Sequence, residues 1–387
     1  MDPSNKVSKI AASIPPSGIR KFFDVASAMR DVVSLGVGEP DFDTPWAIRE
    51  AAIYAIEQGN TFYTANAGLP ELRSEISKYL KRRLDVEYAP QDIIVTVGGS
   101  QALDVALRAL LDPGDQVIVP SPAYVAYKPC VTLAGGQPIE IEMSSAEQFK
   151  LTKAKLEKAI TPATKALILN YPSNPTGGVM TREDYEPLID ILVEKQIMIV
   201  TDEIYGELNY ENKQYSLAQE PRLKKQVIYI NGFSKAYSMT GWRLGYVCAE
   251  PAVSSVMLRI QQYSPMCPPT ISQYAAIEAC RSGDGEVDKM VKVFRQRRDY
   301  IVQALNDIGL KTHLPQGAFY VFADISRTGL SSEEFCERLL QQQKVAMVPG
   351  TAFGLGGEGF VRISYAYSIT EIKQALKRME KFLQDYE

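Results

Sequence analysis

The chain has 387 residues, 45% hydrophobic and 23% charged, which is enough apolar material for a sizeable core and too ordinary a balance for a disordered, collagenous or coiled-coil protein. Its net charge of −4 leaves no basic excess to neutralise a nucleic-acid backbone, so no nucleic-acid partner is expected. No apolar run approaches the roughly 20 residues that span a bilayer, and residues 1–10 carry no apolar secretion core, so a cytoplasmic protein with no membrane partner is expected.

In chain order, the first thirty residues are polar, with Pro15, Pro16 and Gly18, and read as an arm leading into a short helix. Residues 32–35 form a brief strand. From there to about residue 250 the pattern alternates. Apolar strand-like runs fall at 93–97, 116–119, 166–169, 197–201, 227–230 and 246–249, with helical patterns at 69–84, 101–111 and 182–195 between them. Strands so continuously apolar are buried on both faces, which predicts an α/β fold with a mostly parallel, doubly wound sheet. After about residue 280 a long charged helix (288–305) precedes a strand (318–323), a helix (332–342), a strand (359–365) and a final helix from Thr370, reading as a smaller α+β domain. The join at 281–290 carries a Ser-Gly-Asp-Gly loop signal. The expected division is an arm and part of the small domain over 1–45, a large domain over 46–285 and a small domain over 286–387.

The five cysteines are scattered and form no C-x-x-C pair, so neither a disulfide framework nor a zinc site is expected. The single histidine, His313, rules out a multi-histidine metal centre and reads as structural. Proton chemistry is therefore expected to run through Lys, Tyr or a carboxylate. Gly354-Leu355-Gly356-Gly357-Glu358-Gly359 matches the G-x-G-x-x-G pattern, but a strand follows it where dinucleotide binding needs a helix, so it reads as a loop.

Ligands of open α/β sheets bind outside the carboxyl ends of the strands, and several chemistry-bearing residues cluster there. Asp202 ends an apolar strand, with Tyr205 three residues on; taken alone, Asp202 also reads as a helix N-cap. Lys235 follows the strand at 227–230, where lost hydration lowers an amine's pKa towards a usable nucleophile. Arg243, in Thr240-Gly241-Trp242-Arg243, suits a phosphate clamp, and Gly98-Gly99-Ser100-Gln101 opens a helix whose free N–H groups suit an anion. Asn174 follows a fourth strand. An amine, an acid, a phenol, an amide and a phosphate cradle together suit a phosphate-bearing aldehyde with a ring nitrogen, which is pyridoxal phosphate.

At these residues the chain resembles the class I aminotransferases of the fold-type I pyridoxal-phosphate enzymes, in the aspartate/aromatic branch. The resemblance runs from about Gly18 to the C-terminus. It is carried by Ser34-Leu35-Gly36-Val37-Gly38-Glu39-Pro40-Asp41-Phe42, by 171–178, by Asp202-Glu203-Ile204-Tyr205 and by 234–245. Ser17-Gly18-Ile19-Arg20-Lys21-Phe22-Phe23 is most similar to aromatic-acting members. The resemblance implies that Lys235 holds the cofactor as an internal aldimine. Asp202 would pair with the ring nitrogen, Tyr205 and Asn174 would bond the ring oxygen, and Tyr124 would stack on the ring. Backbone N–H groups of Ser100 and Gln101, the Ser234 hydroxyl and Arg243 would take the phosphate. Tyr63 would reach it from a second subunit, implying a homodimer with shared sites. Arg362, with Asn174 and the backbone of Gly38, would hold the substrate carboxylate. Gly232 stands where many aspartate-type relatives carry a serine, so one phosphate contact is lost.

The implied activity is transfer of an amino group from an L-amino acid, aromatic or aspartate favoured, to a 2-oxo acid such as 2-oxoglutarate. Lys235 would carry the Cα proton in a ping-pong cycle. N-acetyl-diaminopimelate or alanine aminotransferase, or a carbon–sulfur β-lyase sharing Lys235, Asp202 and Arg243, are the alternatives. A ligand sensor fused to a DNA-binding module would need a helix-turn-helix before the first strand, and the thirty residues there carry none.

Overall fold

The computed structural model describes residues 6–19, 29–211 and 215–386. Its strands, numbered along the chain, are β1 (Val33–Ser34), β2 (Ile93–Thr96), β3 (Gln116–Ser121), β4 (Gln137–Glu142), β5 (Thr164–Leu169), β6 (Met198–Asp202), β7 (Val227–Gly232), β8 (Gly245–Cys248), β9 (Tyr320–Asp324), β10 (Val345–Ala346), β11 (Val348–Pro349) and β12 (Phe360–Ser364). A seven-stranded sheet runs in the order β2-β8-β7-β6-β5-β3-β4, and β8 alone is antiparallel to its neighbours.

The expected α/β architecture follows from side-chain alternation in fully buried strands. Ile93 and Val95 of β2 face one core and Ile94 the other; Leu167 and Leu169 of β5 face the first, Ala166 and Ile168 the second. Helix Arg182–Glu194 covers the first core with Leu188, Ile189 and Leu192. Helix Gly98–Leu110 covers the second with Ala102, Leu103 and Val105. Strand β4 escaped the sequence reading because it is an edge strand, only part-buried, with Glu140 and Glu142 on it; edge strands often carry such charges.

A second, antiparallel sheet of order β11-β12-β9 packs its own core around Phe294, Phe319, Val361 and Phe382. Val33 of β1 pairs with Val345 of β10, so the segment leading to Gly38 rests on C-terminal structure.

Two local expectations change. The stretch 281–290 is no loop: helix Thr270–Ser282 gives way to helix Asp284–Asp307 at the single residue Gly283. A Cβ there would lie 2.5 Å from Tyr237 and 2.6 Å from the Ala279 carbonyl, so the glycine serves close packing. The helical pattern at 69–84 is helix Pro70–Tyr79 followed by a wider π-helical turn, Leu80–Leu84. The arm carries a short helix, Lys9–Ala12, whereas the aromatic-type wording from Arg20 to Phe23 lies outside the described residues. His313 is exposed. The glycine-rich segment 354–359 runs into β12, so no helix starts there.

Candidate active site

The carboxyl ends of β2, β5, β6 and β7 open into a cavity of about 390 Å³. After β2 comes the start of helix Gly98–Leu110 with Ser100; after β5 come Asn170 and Asn174; β6 ends on Asp202; and β7 leads to Ser234 and Lys235. The second sheet closes the opposite wall with Tyr320 and Arg362, and Gly38 comes from the segment after β1. Of the residues expected from sequence, Gly38, Ser100, Tyr124, Asn174, Asp202, Tyr205, Ser234, Lys235, Arg243 and Arg362 all line this one space.

Lys235 Nζ donates to the Gly38 carbonyl at 2.7 Å. Burial pushes its amine down to about 8, against a pull upward from Glu39, and Arg243 and Arg362 depress it further. Asp202 is 8% exposed, and burial pushes its carboxyl up to about 6. Two donors oppose that rise: the Tyr127 hydroxyl at 2.8 Å on Oδ2 and the Ile204 N–H at 3.2 Å on Oδ1. The buried Tyr205 phenol is pushed well above its ordinary value by burial and by Tyr320, whose hydroxyl lies 2.8 Å away.

Two guanidinium groups, of Arg243 and Arg362, line the cavity, and among the described residues neither has a carboxylate within ion-pair distance. Arg362 is 3% exposed; it donates to Asn174 Oδ1 at 2.9 Å and to the Gly36 carbonyl, and its buried Nε has no partner. It lies 4.5 Å from the Tyr320 ring centroid and 4.9 Å from that of Phe353. A buried cation without a counter-ion is costly, so this wall is built to receive an anion. Arg243 has φ +53° and donates Nη1 to the Thr240 carbonyl at 2.8 Å. Its Nη2 stands over Gly98, where a Cβ would come within 2.7 Å. The guanidinium and the first N–H groups of helix Gly98–Leu110 thus converge, as an anion site requires.

Two expected residues lie elsewhere. Gln101 is off the cavity wall, and its side-chain oxygen accepts the Val97 N–H at 2.5 Å; the sequence-based expectation concerned only its backbone N–H. Tyr63 is 83% exposed and does not line this cavity.

The sequence reading missed Tyr127, Asn170 and Tyr320. Tyr127 bonds Asp202, and Asn170 holds the Asp202 carbonyl at 2.9 Å and the Asn174 N–H at 3.0 Å. Asn170 directly follows a strand, a signal that was available; Tyr127 and Tyr320 are two of 21 tyrosines and carried none.

Residues 30–379 match the family model described as aminotransferase class I and II. The chain is 46% identical to an aspartate aminotransferase of Pyrococcus abyssi, over 96% of this chain and 97% of that protein. It is 43% identical to aromatic-amino-acid aminotransferase 2 of Thermococcus litoralis, again over 96% and 97%. The solved structure of Thermus thermophilus aspartate aminotransferase with maleate superposes with a TM-score of 0.93 at 40% identity, covering 97% of this chain and 99% of that one. With a family match along nearly its whole length and relatives above 40% identity that cover almost all of it, the chain belongs to the class I and II aminotransferases and is a pyridoxal-phosphate-dependent transaminase.

Proposed function

We infer that Lys235 is the residue that binds the cofactor aldehyde and then carries the substrate Cα proton, and that the preferred amino donor is an aromatic amino acid or aspartate, with a 2-oxo acid such as 2-oxoglutarate as acceptor. The observation that supports this reading is that the Lys235 amine shares one cavity with the guanidinium groups of Arg243 and Arg362, whose charges add to burial in lowering its pKa. When bound, pyridoxal phosphate supplies an electrophilic carbon for the amino group and a ring that takes up the electron pair left at the substrate Cα.

The residues present fit that group. Arg243, the Ser234 hydroxyl and the N–H groups of Ser100 and Gln101 would hold its phosphate, where Gly98 leaves room for the guanidinium. Asp202 would hold a proton on the ring nitrogen, its charge maintained by Tyr127. Tyr205 and Asn174 would donate to the ring oxygen, and Tyr124 would cover a ring face. Arg362 would take the substrate carboxylate on its free edge, with Asn174 and the Gly38 backbone beside it. Because burial has lowered its pKa to about 8, Lys235 Nζ gains free-base character as pH rises through mildly alkaline values, and it needs no histidine partner.

The active form is read as a homodimer in which Tyr63 completes the phosphate site of the other copy. Its 83% exposure, beside Phe62 at 80%, supports this, since large apolar side chains left bare mark an interface. A cytoplasmic location fits the five free thiols, and no helix among the described residues is long and apolar enough to cross a membrane. Divisions at residues 45 and 285 are read from the shift in pattern along the chain; helix Asp284–Asp307 spans the second of them, giving Val287 to one core and Phe294 to the other.

A panel of amino donors (Phe, Tyr, Asp, Ala and N-acetyl-diaminopimelate) against 2-oxoglutarate tests the reading. Stoichiometric appearance of the matching 2-oxo acid is expected, fastest with Phe, Tyr or Asp. Release of pyruvate and ammonia from a β-substituted amino acid, without amino transfer, would instead mean a lyase.

A further inference from the structure

We propose that Tyr320 is a positioning residue that orients the Tyr205 phenol into the cavity, coupling the cofactor site to the wall that holds the substrate carboxylate. The proposal rests on the role given to Tyr205 above. Tyr320 is 1% exposed, and its hydroxyl lies 2.8 Å from that of Tyr205. Each hydroxyl has a single hydrogen to donate. If Tyr205 donates to the ring oxygen, the hydrogen between the two phenols must come from Tyr320, making a two-step chain aimed at that oxygen. Hydrogen bonds in such a chain polarise one another, so the first strengthens the second.

The scaffold holds this pair closely. The segment after Tyr205 is bonded to the stretch before Tyr320: the Ala318 N–H donates to the Leu208 carbonyl at 2.8 Å, and the Tyr210 N–H to the Gln316 carbonyl at 2.9 Å. The two rings meet edge to face, with centroids 5.7 Å apart. Gly38 closes over the Tyr320 oxygen, which a Cβ at position 38 would approach to 2.1 Å. Arg362 rests on the other part of the Tyr320 ring. Beyond Arg362, the titratable groups facing the pair are Tyr124 and Tyr367, with Lys235 and Asp202 across the cavity.

The test is the pH midpoint of the bound cofactor's visible absorbance in the loaded protein. A donor to the ring oxygen stabilises its negative form, so weakening that donor raises the midpoint. Tyr320→Phe keeps the ring beneath Arg362 and removes one hydroxyl. It is expected to raise the midpoint by roughly 0.3–1 unit, the worth of one neutral hydrogen bond, while the amino-acid KM changes by less than about threefold because the ring contact persists. In a Tyr205→Phe background the same substitution is expected to add no further shift, since its route is gone. An unmoved midpoint, or equal shifts in both backgrounds, overturns the proposal. A wild-type protein that binds pyridoxal phosphate with no pH-dependent band overturns the reading of Lys235 and Tyr205 itself, a different failure from a normal wild-type titration that Tyr320→Phe leaves in place.

Discussion

The Tyr127 hydroxyl donates to Asp202 Oδ2 across 2.8 Å, inside a site where Asp202 is 8% exposed. Burial alone would favour the neutral acid, and of the two bonds that hold the charge on, this one is the stronger. Tyr127→Phe removes it and leaves the Ile204 N–H. The Asp202 carboxyl is then expected to titrate above its present value of about 6. Pairing with a protonated ring should weaken by roughly 1–3 kcal/mol, about 5- to 150-fold in cofactor affinity. Equilibrium dialysis of pyridoxal phosphate against both proteins measures this.

Lys235→Ala is expected to abolish turnover while the phosphate and ring contacts still retain cofactor. In cofactor-free wild-type protein the Lys235 amine should react with an acylating reagent with a midpoint near 8 rather than the ordinary 10.5. Peptide mapping of the labelled lysine across pH 6–11 reads that midpoint directly.

Arg362→Leu removes a charge-assisted bond to the substrate carboxylate worth roughly 1.5–3 kcal/mol, so the amino-acid KM should rise about 10- to 150-fold. Arg362→Lys keeps the charge but not the planar fork and should fall between. Steady-state kinetics with a saturating 2-oxo acid separates the two; an unchanged KM in the leucine variant would put the carboxylate elsewhere.

Glu203, next to Asp202, points into the first core, where Ser216 Oγ donates to it at 2.6 Å and Thr201 Oγ1 at 3.0 Å. Burial raises its carboxyl to about 8 from the ordinary 4.5. Between those values the native state keeps a proton that the unfolded chain has lost, so this group makes stability fall as pH rises, by up to about 1.4 kcal/mol per unit. The loss is complete above pH 8. Glu203→Gln should flatten that dependence, as denaturant midpoints from pH 5 to 8 would record.

Gly38→Ala would drive a methyl group into the Tyr320 hydroxyl, 2.1 Å from the position a Cβ takes. Either Tyr320 or the Gly38 carbonyl that accepts from Lys235 must move. A loss of roughly 1–3 kcal/mol in thermal stability is expected, with a larger fall in kcat/KM than in expression yield.

Much was readable without coordinates. Buried parallel strands need apolar residues at every position, so β5, β6 and β7 stand out as runs, and the groups placed at or just past their ends (Asn174, Asp202, Lys235) belong to one rim by topology alone. The half-exposed β4 and the helix junction at Gly283 were not readable, because edge pairing and close packing leave no periodic trace. The same holds for the partners. Residue order could nominate Asp202, Tyr205 and Arg362, but that Tyr127 bonds the first, that Tyr320 joins the other two, and that Arg362 lies buried with an unpartnered Nε depend on contacts between segments tens to hundreds of residues apart. The chemical groups are a property of the sequence; their protonation and aim come from burial and long-range hydrogen bonds, which exist only once the two sheets have closed on each other.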